Sequence, residues 1–163
     1  MANKQHFAIL KRSVANAPKK GLTWHKWEKW YEKTEWCQWR AAHPRIKPNL
    51  SGADLRDMIL VAIDLSYTNL SGANLSRTSL SKLEGANLSD ADLTSADLIE
   101  ANLRRADLTR ANLTGADLEI CFAHGAILTK ANFTDANLYG AELWGALICD
   151  TIFEGANVND VEY

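Results

Sequence analysis

The chain has 163 residues, with 18 Lys and Arg against 20 Asp and Glu, for a net charge of −2. That is the size of one globular domain or of a repeat array with a small appendix, and no apolar run approaches the roughly 18 residues of a membrane span. The basic N-terminus lacks a signal-peptide core, so a soluble, cytoplasmic protein is expected, while three scattered cysteines (Cys37, Cys121 and Cys149) form no CxxC pair and no disulfide framework.

The small net charge hides a division. Residues 1–47 carry eleven Lys and Arg and three Asp and Glu; residues 48–163 carry seven and seventeen. Such asymmetry marks regions with different roles, or regions that attract each other. The first region also holds five of the six tryptophans. Phe7, Leu10 and Val14 recur at helical spacing in 5–15, and a breaker cluster follows from Asn16 to Gly21. Thr23 suits a helix N-cap, with Trp24, Trp27 and Tyr31 on one face. Trp36 and Trp39 form another i, i+3 pair, which ends at His43-Pro44. Two or three short helices are expected in this basic leader.

From Pro48 the chain repeats every five residues: SGADL, SGANL, EGANL, SDADL and their relatives. Let i denote the central apolar residue. It falls at every fifth position from Leu50 to Leu80 and again from Leu83 to Val158, giving 23 positions, of which 18 are Leu. Position i−2 is Ala in 15 of 23 modules and i−1 is Asn or Asp in 15 of 23, so the pattern constrains three consecutive residues. A period of five defines no face of an α-helix, and in a flat strand an odd period alternates faces. The pattern is satisfied if the chain is extended from i−2 to i and then turns. Residues i−2 and i then point inward, and i−1 points out. Eight of nine glycines occupy i+2, where a type II turn requires a positive φ. Four such sides close a coil of twenty residues, and stacked coils pair backbone to backbone about 4.8 Å apart. The 23 modules therefore predict nearly six coils around a packed Leu and Ala core.

Several modules depart from the pattern. Between Leu80 and Leu83 two residues are missing, which predicts a small bulge or loop near Ser81–Glu84. Met58, Ile63 and Thr68 replace the small i−2 residue and predict a wider first coil. Cys121 replaces an inward Ala, so it should be buried and unreactive, and Ala123 replaces an inward Leu.

These tandem A(D/N)LXX modules resemble the pentapeptide-repeat family over residues 48–160. The resemblance implies a right-handed quadrilateral β-helix, an all-β solenoid, with 161–163 as a C-terminal tail. The stretch Trp36-Cys37-Gln38-Trp39-Arg40, continuing through Pro44 and Pro48, is similar to the leader of a cyanobacterial subset. There it implies a small α-helical cap on the first coil, with Trp36 and Trp39 as candidate capping residues packing around Leu50 and Leu55. The family includes topoisomerase-inhibiting DNA mimics and developmental regulators.

No nucleophile elbow, phosphate loop, HExxH or EF-hand occurs, and a core filled by Leu and Ala leaves no concave substrate pocket. No enzyme activity, cofactor or metal site is expected. The leading functional reading is a protein-interaction scaffold or regulatory binding protein with an unidentified protein partner. A DNA-mimic inhibitor of an enzyme such as a topoisomerase is an alternative, because residues 48–163 carry ten net negative charges. Nucleic-acid binding by Lys26, Lys29 and Lys33 with Trp24, Trp27 and Trp30 is a lesser alternative, and nucleic acid is not the expected partner. In the C-terminal coils the outward i−1 position turns apolar at Phe122, Ile127, Leu147 and Ile152, with Trp144 at a neighbouring corner. This cluster is the candidate interaction patch, for a partner or for self-association.

Overall fold

The structure is a computed structural model that describes residues 3–15, 30 and 34–163. The breaker cluster, the Thr23 cap and the Trp24–Tyr31 face lie outside the described residues.

Helix α1 runs Lys4–Val14, capped by Asn3, whose side chain accepts from the Gln5 and His6 N–H groups. Its buried face is His6, Ile9, Leu10 and Ser13 rather than the Phe7–Leu10–Val14 line, and Phe7 and Val14 are only partly covered. Helix α2 runs Glu35–Ala42, with Thr34 accepting from the Cys37 N–H, and ends at His43. Ser13 Oγ accepts from the Trp36 N–H at 2.7 Å and joins the two helices.

From residue 49 onward the chain is a β-solenoid. Parallel bridges join i−1 residues of successive coils, as in the files Asn87–Asp107–Ile127–Leu147 and Asn102–Phe122–Glu142–Glu162. Each step is twenty residues, or four five-residue modules per coil, except across the register slip, where Asn69–Asn87, Asn74–Asp92 and Ser79–Asp97 are eighteen apart. The ladder continues through Glu162, so most of the three-residue tail is part of it.

Asp107 and its neighbours show where the backbone donors go. The Leu108 N–H donates to Ile127 O in the next coil, the Asp107 N–H to Ala86 O in the previous one, and the Arg110 N–H to Thr129 O. The Ala111 N–H closes the corner turn on Leu108 O. One donor per module is left, at i+1, and the i−1 side chain takes it: Thr109 N–H donates to Asp107 Oδ1 at 2.9 Å. The same bond forms at Asn87–Ser89, Asp92–Thr94, Asn112–Thr114 and Asn132–Thr134. The Asn/Asp preference at i−1 thus follows from the need to pair every backbone N–H.

Positive φ occurs at i+2 in eight glycines and in thirteen other residues. Among the i+2 positions from 52 to 160, Ala62 and Lys82 are the exceptions. At that place the corner is replaced by two straight strands, β1 (Ile59–Asp64) and β2 (Ser79–Lys82), paired in parallel. Ile59 faces Ser79 and Leu60 faces Leu80, but Asp64 faces Lys82. The irregularity is therefore surplus chain in β1, around Val61–Ile63, and not a bulge at Ser81–Glu84. A count of residues gives the mismatch but not the strand that absorbs it. Burial decides that here, because Ala62 and Ile63 are both enclosed.

The interior is continuous from Leu10 and Trp36 to Leu143. Ile63 and Thr68 are enclosed in the first coils, and Met58 is half-buried. Ala123 and Phe133 are ten residues apart, half a coil, and both are buried. The short side chain thus leaves volume for the ring on the opposite side, and the ring stacks on Phe153 with centroids 5.3 Å apart.

Candidate interaction surface

The five patch residues occupy three adjoining sides. Ile127 and Leu147 are bridge partners in one file. Phe122 stands in the preceding file and Ile152 in the following one, paired with Asn132. They form a band around the C-terminal coils rather than one flat patch. Trp144, Leu147 and Ile152 are each about half exposed. Phe122 and Ile127 are only partly exposed, and Phe122 lies beneath Arg104, whose guanidinium carbon is 4.8 Å from the ring centroid.

An apolar residue at i−1 cannot accept the i+1 N–H. Within the band, His124, Thr129, Cys149 and Glu154 therefore lack the side-chain acceptor that Thr109 has in Asp107. The band combines exposed apolar area with backbone donors open to solvent or to a partner. Around it, side chains pair diagonally between coils, i+1 with the i−1 residue of the next. His124 Nε2 lies 2.6 Å from Glu142 Oε2, and Trp144 Nε1 donates to Glu162 Oε2 at 3.1 Å. Beyond Leu143 the core opens: Ile148 and Val158 are exposed and Phe153 is partly exposed, although all three hold inward positions.

At the other end Trp36 is fully buried, and its Nε1 donates to Asp64 O at 2.8 Å. Arg40 Nη2 donates to Ser66 O at 3.0 Å. Trp39 is partly buried beside Trp36 and stacks on His43, its ring 4.7 Å from His6. Asn3 N–H donates to Asn49 O, and Asn49 N–H to His6 Nδ1. Burial lowers the pKa of His6, which suits an acceptor nitrogen.

Charged corners pair along the rod. Arg77 reaches Asp57 and Arg110 reaches Asp90, each twenty residues away, and each guanidinium lowers the pKa of its carboxyl. Arg56 holds Asp54 down to about 2. All are exposed pairs and add little to stability. Burial pushes the Cys121 thiol up to about 12, so it has no nucleophilic character near neutrality. Among the described residues no group of three His, Cys, Asp or Glu is placed to hold a metal ion, and no helix is long and apolar enough to cross a membrane.

Apart from Trp144, the expected surface residues lie at i−1, and the other apolar corners were not among them. Tyr67, Ile99, Ile120 and Tyr139 are exposed apolar residues at i+1 or i+2. The signal was available, because those positions are elsewhere mostly Gly, Ser, Thr or charged.

A family model for pentapeptide repeats matches in eight copies over residues 49–82, 86–119 and 123–160. No curated protein matches the chain in sequence. Among solved structures, similarity extends to HetL, a pentapeptide repeat protein involved in heterocyst differentiation regulation from Nostoc sp. strain PCC 7120. Identity there is 33%, over 71% of this chain and 60% of that one, with a TM-score of 0.49. Rfr23 from Cyanothece 51142 is 27% identical over 77% of this chain and 96% of its own, with a TM-score of 0.49. QnrB1, a plasmid-mediated fluoroquinolone resistance protein, is 23% identical over 66% and 57%, with a TM-score of 0.36. The chain thus spans 60% of the length of HetL.

Proposed function

The chain belongs to the pentapeptide-repeat family, and we propose that it is a non-catalytic interaction scaffold, a rigid rod whose side-chain ladders hold a protein partner. In this reading the solenoid is right-handed and four-sided, with nearly six coils. Residues 1–47 close its first coil through Trp36 and Trp39, 48–160 form the rod, and 161–163 finish it.

One observation carries the reading. In the C-terminal coils Phe122, Ile127, Leu147 and Ile152 replace the i−1 Asn or Asp that elsewhere accepts a backbone N–H. Each replacement gives up a hydrogen bond and exposes apolar surface, a combination that supports a contact rather than the fold. The contact is with a partner or with a second copy.

The double variant Ile127→Asn, Leu147→Asn tests this. It restores two acceptors and should fold at least as well as the wild type. Native-host proteins captured by the wild type, and any dimer seen by light scattering, should be lost in the variant. Capture and assembly unchanged in the variant would refute the band as the contact.

A second reading, mimicry of duplex DNA toward a DNA-binding enzyme, is favoured by the ten net negative charges of residues 48–163. Titratable inhibition in a DNA-supercoiling assay would support it, and its absence at saturating protein would exclude it.

A further inference from the structure

We propose that the corner following Leu98, Leu118 and Leu138 is a docking surface for an extended cationic segment of a partner protein that carries apolar side chains between its charges. The proposal rests on the scaffold reading and assigns it a second surface, away from the C-terminal band.

The surface begins at a notch where the first two coils lack their corner. Because β2 is two residues shorter than the chain it faces, a notch of about 520 Å3 opens there, lined by Val61, Ser81, Lys82, Asp97, Ile99 and Glu100. Beyond it the two corner positions alternate in chemistry from coil to coil: Ile99 and Glu100, then Glu119 and Ile120, then Tyr139 and Gly140. Apolar and acidic groups thus form a checkerboard rising about 4.8 Å per coil. Ile99, Ile120 and Tyr139 are each a little over two-fifths exposed.

The backbone points the same way. Ile120 holds φ 55°, a conformation that is unfavourable for any L residue and worst for a β-branched one. Glycine meets the requirement at Gly140 directly above, and the Ile120 side chain leans over it, its Cγ1 3.5 Å from where a Gly140 Cβ would lie. Strain retained at an exposed position points to a role for the side chain.

Charge identifies the occupant. Asp97, Glu100, Asp117, Glu119 and Asp160 line this corner, with Lys82 as its cation. On the corners following Leu55 and Leu88 the carboxylates are matched one coil away, Asp57 by Arg77 and Asp90 by Arg110. Here Lys82 stands one coil below Glu100 and Ile120 one coil above it, the positions one coil from Glu119 are Ile99 and Tyr139, and Asp117 and Glu119 accept from the neutral Asn137 amide, so one lysine faces five carboxylates. A strand with lysines between apolar residues would neutralise the acids and cover the stripe together.

A fluorescein-labelled decapeptide of alternating Lys and Leu, followed by anisotropy against the full chain, tests this. The same peptide with Ser for Leu should bind at least about tenfold more weakly, and Glu100→Lys with Glu119→Lys should weaken the Lys/Leu peptide by about tenfold or more. Ile120→Gly should weaken it several-fold while raising the melting temperature, since it relieves the corner; a folding defect would do the reverse. The Ile127→Asn, Leu147→Asn variant should bind the peptide as wild type does, so failure of the band and failure of this corner surface are read separately. Equal binding of the Lys/Ser peptide, indifference to either corner variant, or no binding of the Lys/Leu peptide would overturn the proposal. So would a dimer that the corner variants dissolve, because the occupant would then be a second copy.

Discussion

The ring of Tyr67 lies across Gly85, so close that a Cβ on the glycine would fall 2.5 Å from Tyr67 Cε1. The Tyr67 hydroxyl reaches on to donate to Glu84 Oε1 at 3.1 Å. Gly85 therefore meets two demands, a φ of +60° and an aromatic roof, whereas Gly115, at +64°, has only Ser95 Oγ at 3.6 Å. Gly115→Ala should cost about 1 kcal/mol, from backbone conformation alone. Gly85→Ala should cost about 2–4 kcal/mol, because overpacking adds to it. Urea titration of both variants, and of Tyr67→Ala with Gly85→Ala, checks this. The excess should vanish when the ring is removed.

Thr68 gives a prediction of the opposite sign. It is fully buried at an inward i−2 position, and among the described residues its Oγ1 is the one buried side-chain oxygen without a hydrogen bond. Thr78, also inward, donates to Leu75 O at 2.6 Å. Replacing Thr68 with Val preserves shape and removes an unpaired polar group, so Thr68→Val should stabilise by about 1 kcal/mol. Thr78→Val, which breaks a bond that is made, should not. Equal shifts in the two variants would show that the bond is irrelevant.

Ala123 and Phe133 should behave as one unit. Ala123→Leu alone should overpack the coil by about 1–3 kcal/mol, and Phe133→Leu alone should leave a void and cost about 1 kcal/mol. The double variant restores the Leu that dominates the other central positions and should cost less than the sum. Strict additivity in thermal melts would show that the two do not share volume.

The thiols offer a test in pH. Cys121 is buried with its pKa raised to about 12 from an ordinary value of 9.0, while Cys149 is exposed. At pH 8 a thiol reagent should label Cys149 quickly in the native protein and Cys121 only on unfolding. Because the folded state holds its proton more tightly than the unfolded one, the contribution of Cys121 is complete below pH 9 and declines as pH rises toward 12. The slope is at most about 1.4 kcal/mol per pH unit. Cys121→Ala should flatten the fall in urea midpoint above pH 9.

The five-residue grammar was legible because each position has one duty: i and i−2 fill, i+2 turns, and i−1 faces out. Its hidden duty at i−1, accepting the Thr109 N–H as Asp107 does, needed the hydrogen bonds themselves. Glycine marked eight corners, but thirteen others turn on residues such as Ile120 and Arg105, because the stacked ladder imposes φ where local preference does not. The register slip was visible as a count, yet whether Val61–Ile63 or Ser81–Glu84 absorbed it depended on burial. The candidate band was readable from i−1 alone. The checkerboard at Ile99 and Ile120 was not, since it requires knowing which corners stack.

Trp36 sets the last prediction. It is wholly enclosed between α1, α2 and the first coil, and its indole N–H meets the carbonyl of Asp64 at the end of β1. That carbonyl is at the solenoid's first turn, where no earlier coil can pair with it. Trp36→Phe keeps most of the volume but leaves the carbonyl without a donor, so it should cost about 1–3 kcal/mol. Trp36→Ala also opens a cavity and should cost about 3–5 kcal/mol. Trp39, only partly buried over His43, should cost less on truncation. If the leader closes the rod, Trp36→Ala should also expose the coil edge and promote aggregation on mild heating, as deletion of 1–47 should. A Trp36→Ala protein that melts and scatters light like the wild type would mean that the first coil stands without the leader, and capping would have to be abandoned as its role.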